Sequence, residues 1–288
     1  MKKSGVLAVV VCMMAVANIA SADIVQGINI DFVSIGNAGN AADTGGTPGC
    51  GAVSYTYRIG KYEVTNAQWN TFTAAAGVPT GNPPEAYDQS SYFTGDQQPA
   101  NCVSWYEAAQ FCNYLTSGNK SLGAYQLGTD GSITVDRATA ISTYGTAYVI
   151  PTEDEWYKAA YFKPNGSGYS LYANGTNTAP IAGVNTNYDY VMRQPWNVGV
   201  GNGTQEQNGT YDMMGNVWEW NETFFSDSTR GHRGGSYDHD VSFLPSSNQN
   251  WDYTSDDHDK LGFRVASVPE PATLLLLGLG SLFLRKKR

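Results

Sequence analysis

The chain has 288 residues, of which 15% are charged, and its formal net charge is −9 at pH 7. Its 17 lysines and arginines are outnumbered by 26 acidic residues, which argues against a nucleic-acid partner, because phosphate recognition needs clustered basic side chains. The length suffices for one domain with a sizeable hydrophobic core between two short terminal segments.

The N-terminus has the order of a secretory signal peptide. Two lysines follow Met1, an apolar run extends from Val6 to Ala17, and Ala20-Ser21-Ala22 is a small-residue cleavage site. The run is short for a membrane span, which needs about 20 residues. Residues 1–22 are therefore predicted to be a signal peptide that is cleaved after Ala22.

The C-terminus carries a second sorting segment. Val268-Pro269-Glu270-Pro271 precedes an apolar stretch over 272–284 and four basic residues. This ordered triple resembles the PEP-CTERM signal of exopolysaccharide-producing Gram-negative bacteria. The resemblance implies that residues 268–288 form a transmembrane helix with a cytoplasmic basic end. An exosortase-type sorting protease would then release an exported protein, first anchored in the inner membrane, to the cell envelope or the medium.

Three helix starts are predicted in the body of the chain, residues 23–267. Each is a capping box, in which a hydroxyl side chain caps an early amide and a Glu or Gln three residues later caps it in return. The capping residues are Thr65, Ser104 and Thr152. Glycine or proline positions predict that the helices end near Ala76, Thr116 and Phe162.

Strand-like runs flank these helices at Ile28–Ile35, Tyr55–Val64, Tyr148–Ile150 and Leu261–Val265. The stretch 163–211 is mostly loop, which predicts an internal organiser such as a metal ion.

Three cysteines remain after signal cleavage. Cys112 lies on the apolar face of the second helix, about 12 Å along its axis from the cap, too far to pair with Cys102. Pairing of Cys50 with Cys102 stays open.

Several motifs together resemble the formylglycine-generating enzyme family, also called the sulfatase-modifying factor domain. In chain order they are Tyr62-Glu63-Val64-Thr65-Asn66, Val103-Ser104-Trp105, Ile150-Pro151-Thr152-Glu153-Asp154-Glu155-Trp156, Gly215-Asn216-Val217-Trp218-Glu219-Trp220, Gly234-Gly235-Ser236-Tyr237 and Gly262-Phe263-Arg264. The resemblance implies an α+β, loop-rich variant of the C-type lectin fold, with few helices, small antiparallel sheets and bound calcium. Catalytic members oxidise a cysteine of a client sulfatase to formylglycine, using copper held by two cysteines.

Both copper-binding cysteines are replaced in this chain. Aligned on the Gly-Gly-Ser-Tyr motif that contains Ser236, their positions hold His239 and Leu244. Copper(I) prefers soft thiolate ligands, and leucine offers no ligand atom. The resemblance therefore predicts neither catalytic residues nor bound copper here. The family disulfide is also not expected, because Val265 stands where the partner of Cys112 would be.

Two acidic clusters that contain histidine, 238–240 and 256–259, have side chains of the kind that bind transition metals. On an extended strand, Asp238 and Asp240 would point away from His239 and would not converge with it. The second cluster has the composition of a solvated loop. We therefore favour solvated loops over metal sites at both places.

Calcium is the metal that the resemblance implies. Carried over by position, its ligands are the side chains of Asp212 and Glu219 and the carbonyls of Gly215 and Val217. Hard oxygen ligands, two of them charged, suit calcium. A weaker second site would involve Asn187 and Tyr188. The alternative for Glu219 is a buried carboxylate that accepts hydrogen bonds from loop amides.

The remaining aromatic and basic positions divide into core and surface. Trp218 and Trp220 alternate along a predicted strand and are expected in the core. Arg264 is expected to pair with a buried carboxylate. Sugar stacking would need exposed rings, for which the candidates are Trp196, Tyr237, Trp251 and Tyr253.

The sequence as a whole favours an exported, non-catalytic, calcium-stabilised binding or structural module at the cell envelope or in exopolysaccharide. Its ligand would be a polysaccharide or another protein. Two alternatives remain: an oxidoreductase of the formylglycine-generating type that acts through a metal at His239, and a partner subunit of an active paralogue.

Overall fold

The computed structural model describes residues 21–88, 90–200 and 205–269. Within them the chain is α+β, with four α-helices and three small sheets. The helices are α1 (Asn66–Ala76), α2 (Trp105–Ser117), α3 (Arg137–Tyr144) and α4 (Glu153–Tyr161). Short 3-10 helices cover Pro84–Tyr87 and Val241–Phe243. The strands are β1 (Ser21–Val25), β2 (Ile28–Ile35), β3 (Tyr57–Gly60), β4 (Tyr125–Leu127), β5 (Ile133–Val135), β6 (Thr146–Val149), β7 (Trp218–Ser226), β8 (Thr229–Arg233), β9 (Asn250–Tyr253), β10 (Leu261–Gly262) and β11 (Ala266–Pro269).

The largest sheet joins the two ends of the domain. Its order is β1-β2-β3-β11-β6, and all neighbours in it are antiparallel. Strand β11 lies between β3 and β6 and pairs with both of them. The first described strand is therefore an edge strand of this sheet, and the last described strand lies inside it.

The second sheet positions the candidate site. Its order is β10-β7-β8-β9, and β10 runs parallel to β7. The expectation of small antiparallel sheets holds for every other described pair of strands, and this pair is the exception, because the chain returns to β7 through the loop after β9 rather than through a hairpin. A separate hairpin joins β4 to β5.

All three predicted capping boxes are confirmed at Thr65, Ser104 and Thr152. Helix α3 was not predicted, because its N-cap Asp136 lacks the Glu or Gln partner of a capping box. The strand predicted at Tyr55–Val64 shortens to β3. The strand predicted at Leu261–Val265 shortens to β10, with β11 following after a break.

Two hydrophobic clusters form the core. One includes Trp218 and Trp220, which confirms the prediction that both rings are buried, and it also includes the fully buried Cys112. The other surrounds Trp156 and contains Leu244. Cys50, Cys102 and Cys112 are free thiols, so the pairing left open for Cys50 and Cys102 is absent.

The long loop region is held by buried polar side chains. No helix or strand lies between Tyr161 and Trp218 in the part of this stretch that is described. The Asn208 amide donates to the carbonyls of Ala159 and Phe162 at 3.0 and 2.7 Å, and so ties the loop to the end of α4. Side-chain hydrogen bonds thus supply much of the organisation that the sequence led us to expect from a metal.

Most of both predicted sorting segments, 1–20 and 270–288, lies outside the described residues. Ser21 and Ala22, at the predicted cleavage site, belong to β1, and Val268 and Pro269 belong to β11. No helix among the described residues is long and apolar enough to cross a membrane.

Candidate functional site

The site of the missing cysteines begins where β8 ends. Gly234 and Gly235 have φ angles of 102° and 78°, a backbone that L-residues rarely adopt, and they turn the chain sharply out of the sheet. Residues 237–240 form a turn and a 3-10 helix follows. The expectation of an extended strand here is therefore wrong.

The turn brings together the side chains that a strand would have separated. His239 Nδ1 lies 2.6 Å from Ser236 Oγ and 2.9 Å from Asp238 Oδ1. Asp240 points elsewhere and accepts a hydrogen bond from Ser242 N. Asp238 and His239 do converge, and only Asp240 stands apart as predicted.

Asp238 is held in its ionised form. Desolvation would raise the pKa of this carboxyl. Hydrogen bonds from His239, Ser236 and Lys260 outweigh the desolvation and hold the pKa below its usual range. The Lys260 ammonium lies 3.0 Å from Asp238 Oδ2.

The Ser236, Asp238 and His239 side chains lack the arrangement of a hydrolytic triad. In a triad the serine and the carboxylate contact different nitrogens of one imidazole, so that the base relays a proton. Here both partners contact Nδ1, and Ser236 is fully buried. The arrangement stabilises the turn and does not activate a nucleophile.

The second former cysteine position is part of the core. Leu244 is fully buried in the cluster around Trp156, and its backbone carbonyl accepts a hydrogen bond from Tyr161 Oη at 2.9 Å. One of the two copper positions is thus occupied by hydrocarbon. The expectation that copper is absent stays a prediction.

Trp218 connects this turn to a second histidine. Its ring centroid lies 5.2 Å from that of His239 and 4.6 Å from that of His232. His232 projects from β8, and desolvation by burial is the main cause of its lowered pKa, so its imidazole is neutral. No role for His232 was predicted, because a single histidine between Gly231 and Arg233 has no ligand spacing that indicates one.

The expected calcium ligand Glu219 is already paired. Both of its oxygens contact the Arg264 guanidinium, and one also accepts from Trp156 Nε1 at 2.7 Å. This confirms the prediction that Arg264 pairs with a buried carboxylate. A carboxylate neutralised in this way is a poor calcium ligand, so the geometry favours the alternative of a buried, hydrogen-bonded Glu219, with an arginine in place of loop amides.

Three other carboxylates surround the same arginine. Glu63, Glu206 and Asp212 are all buried. Burial is the main cause that raises the pKa of each of the three, and it brings the pKa of Glu206 to about 8. Glu63 belongs to one of the motifs that resemble the family, but no role was predicted for it or for Glu206. A single buried arginine is thus the positive charge near four buried carboxyl groups.

A small enclosed cavity lies beside these acids. Its volume is about 20 Å³, which is enough for one water or one ion. Its lining includes Glu206 and Asp212, together with Asn174 and Asn185. These are hard oxygen donors of the kind that calcium prefers. Calcium therefore fits Asp212 better with Glu206 as its neighbour than with Glu219.

The backbone around Gly215 is packed too closely for any side chain. A Cβ at Gly215 would lie 2.2 Å from the carbonyl oxygen of Asn187. Gly215 and Val217 donate their backbone N–H groups to Gly234 and to Glu63. Both expected carbonyl ligands thus belong to a rigid loop.

The second calcium prediction concerned Asn187 and Tyr188. Asn187 is buried, and its Oδ1 has no hydrogen-bond partner among the described residues, so it offers one oxygen to a ligand. The hydroxyl of Tyr188 donates to the carbonyl of Pro180 at 2.7 Å. Asn187 Oδ1 is chemically suited to bind a cation, but a single oxygen ligand is not sufficient for a calcium site.

The four rings proposed for sugar stacking differ clearly in their exposure to solvent. Trp251 and Tyr253 are 49% and 55% exposed, on the edge strand β9. Tyr237 is buried, and Trp196 is half-buried with its Nε1 donating to Asp212. Only Trp251 and Tyr253 present a stacking surface.

Residues 32–268 match the model of the sulfatase-modifying factor enzyme 1-like domain. The chain belongs to this family. Residues 267–288 match the PEP-CTERM protein-sorting motif, which implies sorting by an exosortase-type system. Both resemblances inferred from the sequence are therefore confirmed.

Curated relatives of this family member have different named roles. The chain is 27% identical over 192 residues to the chaperone protein LppX of Paenibacillus barcinonensis, covering 57% of this chain and 61% of the relative. It is also 27% identical over 230 residues to the hercynine oxygenase of Mycolicibacterium smegmatis, covering 69% of this chain and 50% of that enzyme. The chain thus spans about half to three-fifths of the length of these relatives.

Solved structures share the fold. Treponema denticola variable protein 1 superposes with a TM-score of 0.63 at 22% identity, covering 88% of this chain and 100% of that one. PvdO from Pseudomonas aeruginosa gives 0.60 at 19% identity, covering 87% and 98%. These likenesses show the fold alone, which is the formylglycine-generating-enzyme-like variant of the C-type lectin fold.

Proposed function

We propose that this protein is an exported, non-catalytic member of the sulfatase-modifying factor family that serves as a calcium-stabilised binding or structural module. The loss of both copper-binding cysteines carries the proposal. Leu244 is buried among hydrocarbon side chains, and His239 is held by Ser236 and Asp238. A thiolate copper centre of the family type has no ligands here.

Calcium is proposed as a structural ion beside Asp212 and Glu206. Ionised carboxylates buried without a counter-charge are costly, and Arg264 forms its ion pair with Glu219. A divalent cation in the adjacent cavity would balance Glu206 and Asp212 and would tie the long loop to the sheet. The role is one of stability, since both acids are shielded from ligands in solution.

The proposed ligand surface is the exposed face of β9. Trp251 and Tyr253 lie two residues apart on this edge strand, so their rings point to the same side. Flat aromatic rings on an acidic, export-directed protein suit an uncharged polysaccharide better than an anionic ligand. We place the protein at the cell envelope or in exopolysaccharide, after a transient inner-membrane stage, on the support of its sorting motif.

Two other functions have specific support. The relative named a chaperone favours a protein ligand or a partner-subunit role in place of a polysaccharide. The relatives named hercynine oxygenase favour oxygenase-like chemistry through a metal that is not held by cysteine, for which His239 was the sequence candidate. Contact of His239 Nδ1 with both Ser236 and Asp238 weakens the second alternative, because that nitrogen is already engaged.

Binding to exopolysaccharide tests the proposed ligand. We expect the purified protein to bind polysaccharide from an exosortase-containing host, and Trp251→Ala or Tyr253→Ala to weaken binding about 10-fold, since stacked rings carry the contact. Tyr144→Ala removes another exposed tyrosine, 41% exposed and far from β9 in the chain, and serves as the matched control. Equal binding by all variants in a sedimentation or calorimetric assay would exclude this surface.

A further inference from the structure

Beyond the proposed function, a group of potential metal ligands lies at the β9 edge of the second sheet. Asp252, Asp256 and His258 each offer one ligand atom, and these three atoms lie within 4.8 Å of one another. Asp252 belongs to β9, while Asp256 and His258 lie in the loop that follows it. Exposed acidic groups often gather without an ion, so these three residues alone make no site.

The second observation is the buried imidazole of His232. This side chain is 2% exposed, and neither of its ring nitrogens has a hydrogen-bond partner among the described residues. Its Nε2 lies 3.1 Å from Asp252 Oδ2, in an orientation that does not make a hydrogen bond. A buried imidazole without hydrogen bonds is costly unless another ligand satisfies it.

The strand register explains why His232 faces this group. Residue 232 on β8 pairs with Asn250 on β9, so Asp252, two residues further on, projects from the same face of the sheet. Trp218 and Trp220 pack against the other parts of the His232 ring and leave its Nε2 directed at Asp252. The fold thus fixes one histidine and one carboxylate rigidly.

We propose that His232, Asp252, Asp256 and His258 bind a divalent first-row transition-metal ion such as Zn²⁺. Two imidazoles and two carboxylates suit such an ion better than Ca²⁺, which takes oxygen ligands. Ligand atoms about 2.0–2.2 Å from a metal are separated from each other by roughly 3–4 Å. The Nε2 of the half-exposed His258 lies 3.9 Å from Asp256 Oδ2, which is within this range.

The site is open on one side. The His232 side chain is 3% exposed and that of His258 is 47% exposed, so the ion would sit between the core and solvent. Four protein ligands complete a tetrahedral shell, as in structural zinc sites. The proposed zinc site is distinct from the former copper positions at His239 and Leu244, and none of its four ligands is among the expected calcium ligands.

Calorimetric titration with Zn²⁺ in excess calcium tests the proposal, because calcium saturates oxygen sites beforehand. We expect one Zn²⁺ per chain, and an affinity at least about 10-fold lower in His258→Ala and in Asp252→Asn. His258 is exposed, so its variant should keep the wild-type melting temperature without zinc.

Two matched controls locate the ion. Asp227→Asn removes an exposed acidic charge from the β7–β8 turn, and His239→Gln removes the remaining histidine of the chain. Both should bind zinc like the wild type. Absence of zinc binding by the wild type, unchanged affinity in either ligand variant, or loss of binding in either control would overturn the proposal.

Discussion

At the scale of single residues, the most consequential contact is the pair between Arg264 and Glu219. Neither side chain has exposed surface, and the guanidinium also donates to the carbonyls of Gly60 and Tyr211 at 3.0 Å. These bonds join β7, the end of β3 and the end of the long loop around one charge. A buried pair with its hydrogen bonds satisfied fixes a specific arrangement, whatever its net contribution to stability.

Removal of one partner should therefore be costly. We expect Arg264→Met to lower the free energy of unfolding by about 3–5 kcal/mol, because it leaves Glu219 charged, buried and unpaired. Chemical denaturation monitored by tryptophan fluorescence measures the change. Arg58→Ala, which breaks the partly exposed pair with Asp23, should cost less than about 1 kcal/mol. A loss at Arg264 no larger than that at Arg58 would contradict this interpretation.

The residues of the site were only partly predictable from sequence. His239 and Leu244 were identified by resemblance, because their positions follow from their spacing after the Gly-Gly-Ser-Tyr motif. The contact between Asp238 and His239 was missed, because strand geometry was assumed across a turn set by two glycines with positive φ. Glu206 and His232 were missed because their significance comes from their burial, which depends on tertiary packing and has no local signal in the sequence.

At the scale of elements, the hydroxyl caps determine where helices begin. Ser104 Oγ accepts a hydrogen bond from Glu107 N at 3.2 Å, and Glu107 Oε2 accepts one from Ser104 N at 3.1 Å. The same hydroxyl donates to the carbonyl of Ala86, which joins α2 to the preceding 3-10 helix. The cap is therefore both a local and a tertiary contact.

Substitution at this cap should have a moderate effect. We expect Ser104→Ala to lower the free energy of unfolding by about 1–2 kcal/mol, because it leaves an early amide of α2 without its acceptor. Ser104→Thr keeps the hydroxyl and is the matched control. Thermal unfolding of both variants beside the wild type measures the difference, and equal destabilisation would show that packing, rather than the cap, determines the effect.

Helices were more predictable than strands for a physical reason. A capping box is a local signal within four residues, and it identified α1, α2 and α4. Strands β10 and β11 depend on partners far away in the chain, so composition alone could not find the break between them. The parallel pairing of β10 with β7 likewise has no local signature.

At the scale of the whole molecule, the buried acids make stability depend on pH, and the proposed calcium ion would act on the same groups. Burial raises the pKa of Glu206 from its ordinary 4.5 to about 8. An acid with a raised folded-state pKa contributes stability that is present below pH 4.5 and is lost as pH rises through 8. Calcium would reverse this trend, because it binds the ionised form.

We therefore expect the melting temperature in EDTA to fall between pH 5 and 8, and calcium to raise it most at pH 8. Glu206→Gln should remove most of both effects, whereas Asp227→Asn, which changes an exposed charge, should preserve them. Differential scanning fluorimetry across this pH range measures all three proteins. A melting temperature that does not respond to calcium at any pH would argue against the structural ion.

The proposed absence of formylglycine-generating activity is tested most directly by oxidation of a cysteine peptide. The purified protein would be incubated with a sulfatase-type cysteine peptide, oxygen and a reductant, with copper, iron, manganese or zinc in turn, and the peptide followed by mass spectrometry. A copper-loaded member with both cysteines is the positive control. We predict an unchanged peptide mass with every metal. Conversion of the thiol to an aldehyde with any of them would show that His239 and Leu244 do not abolish catalysis, and would contradict the assignment as a binding module.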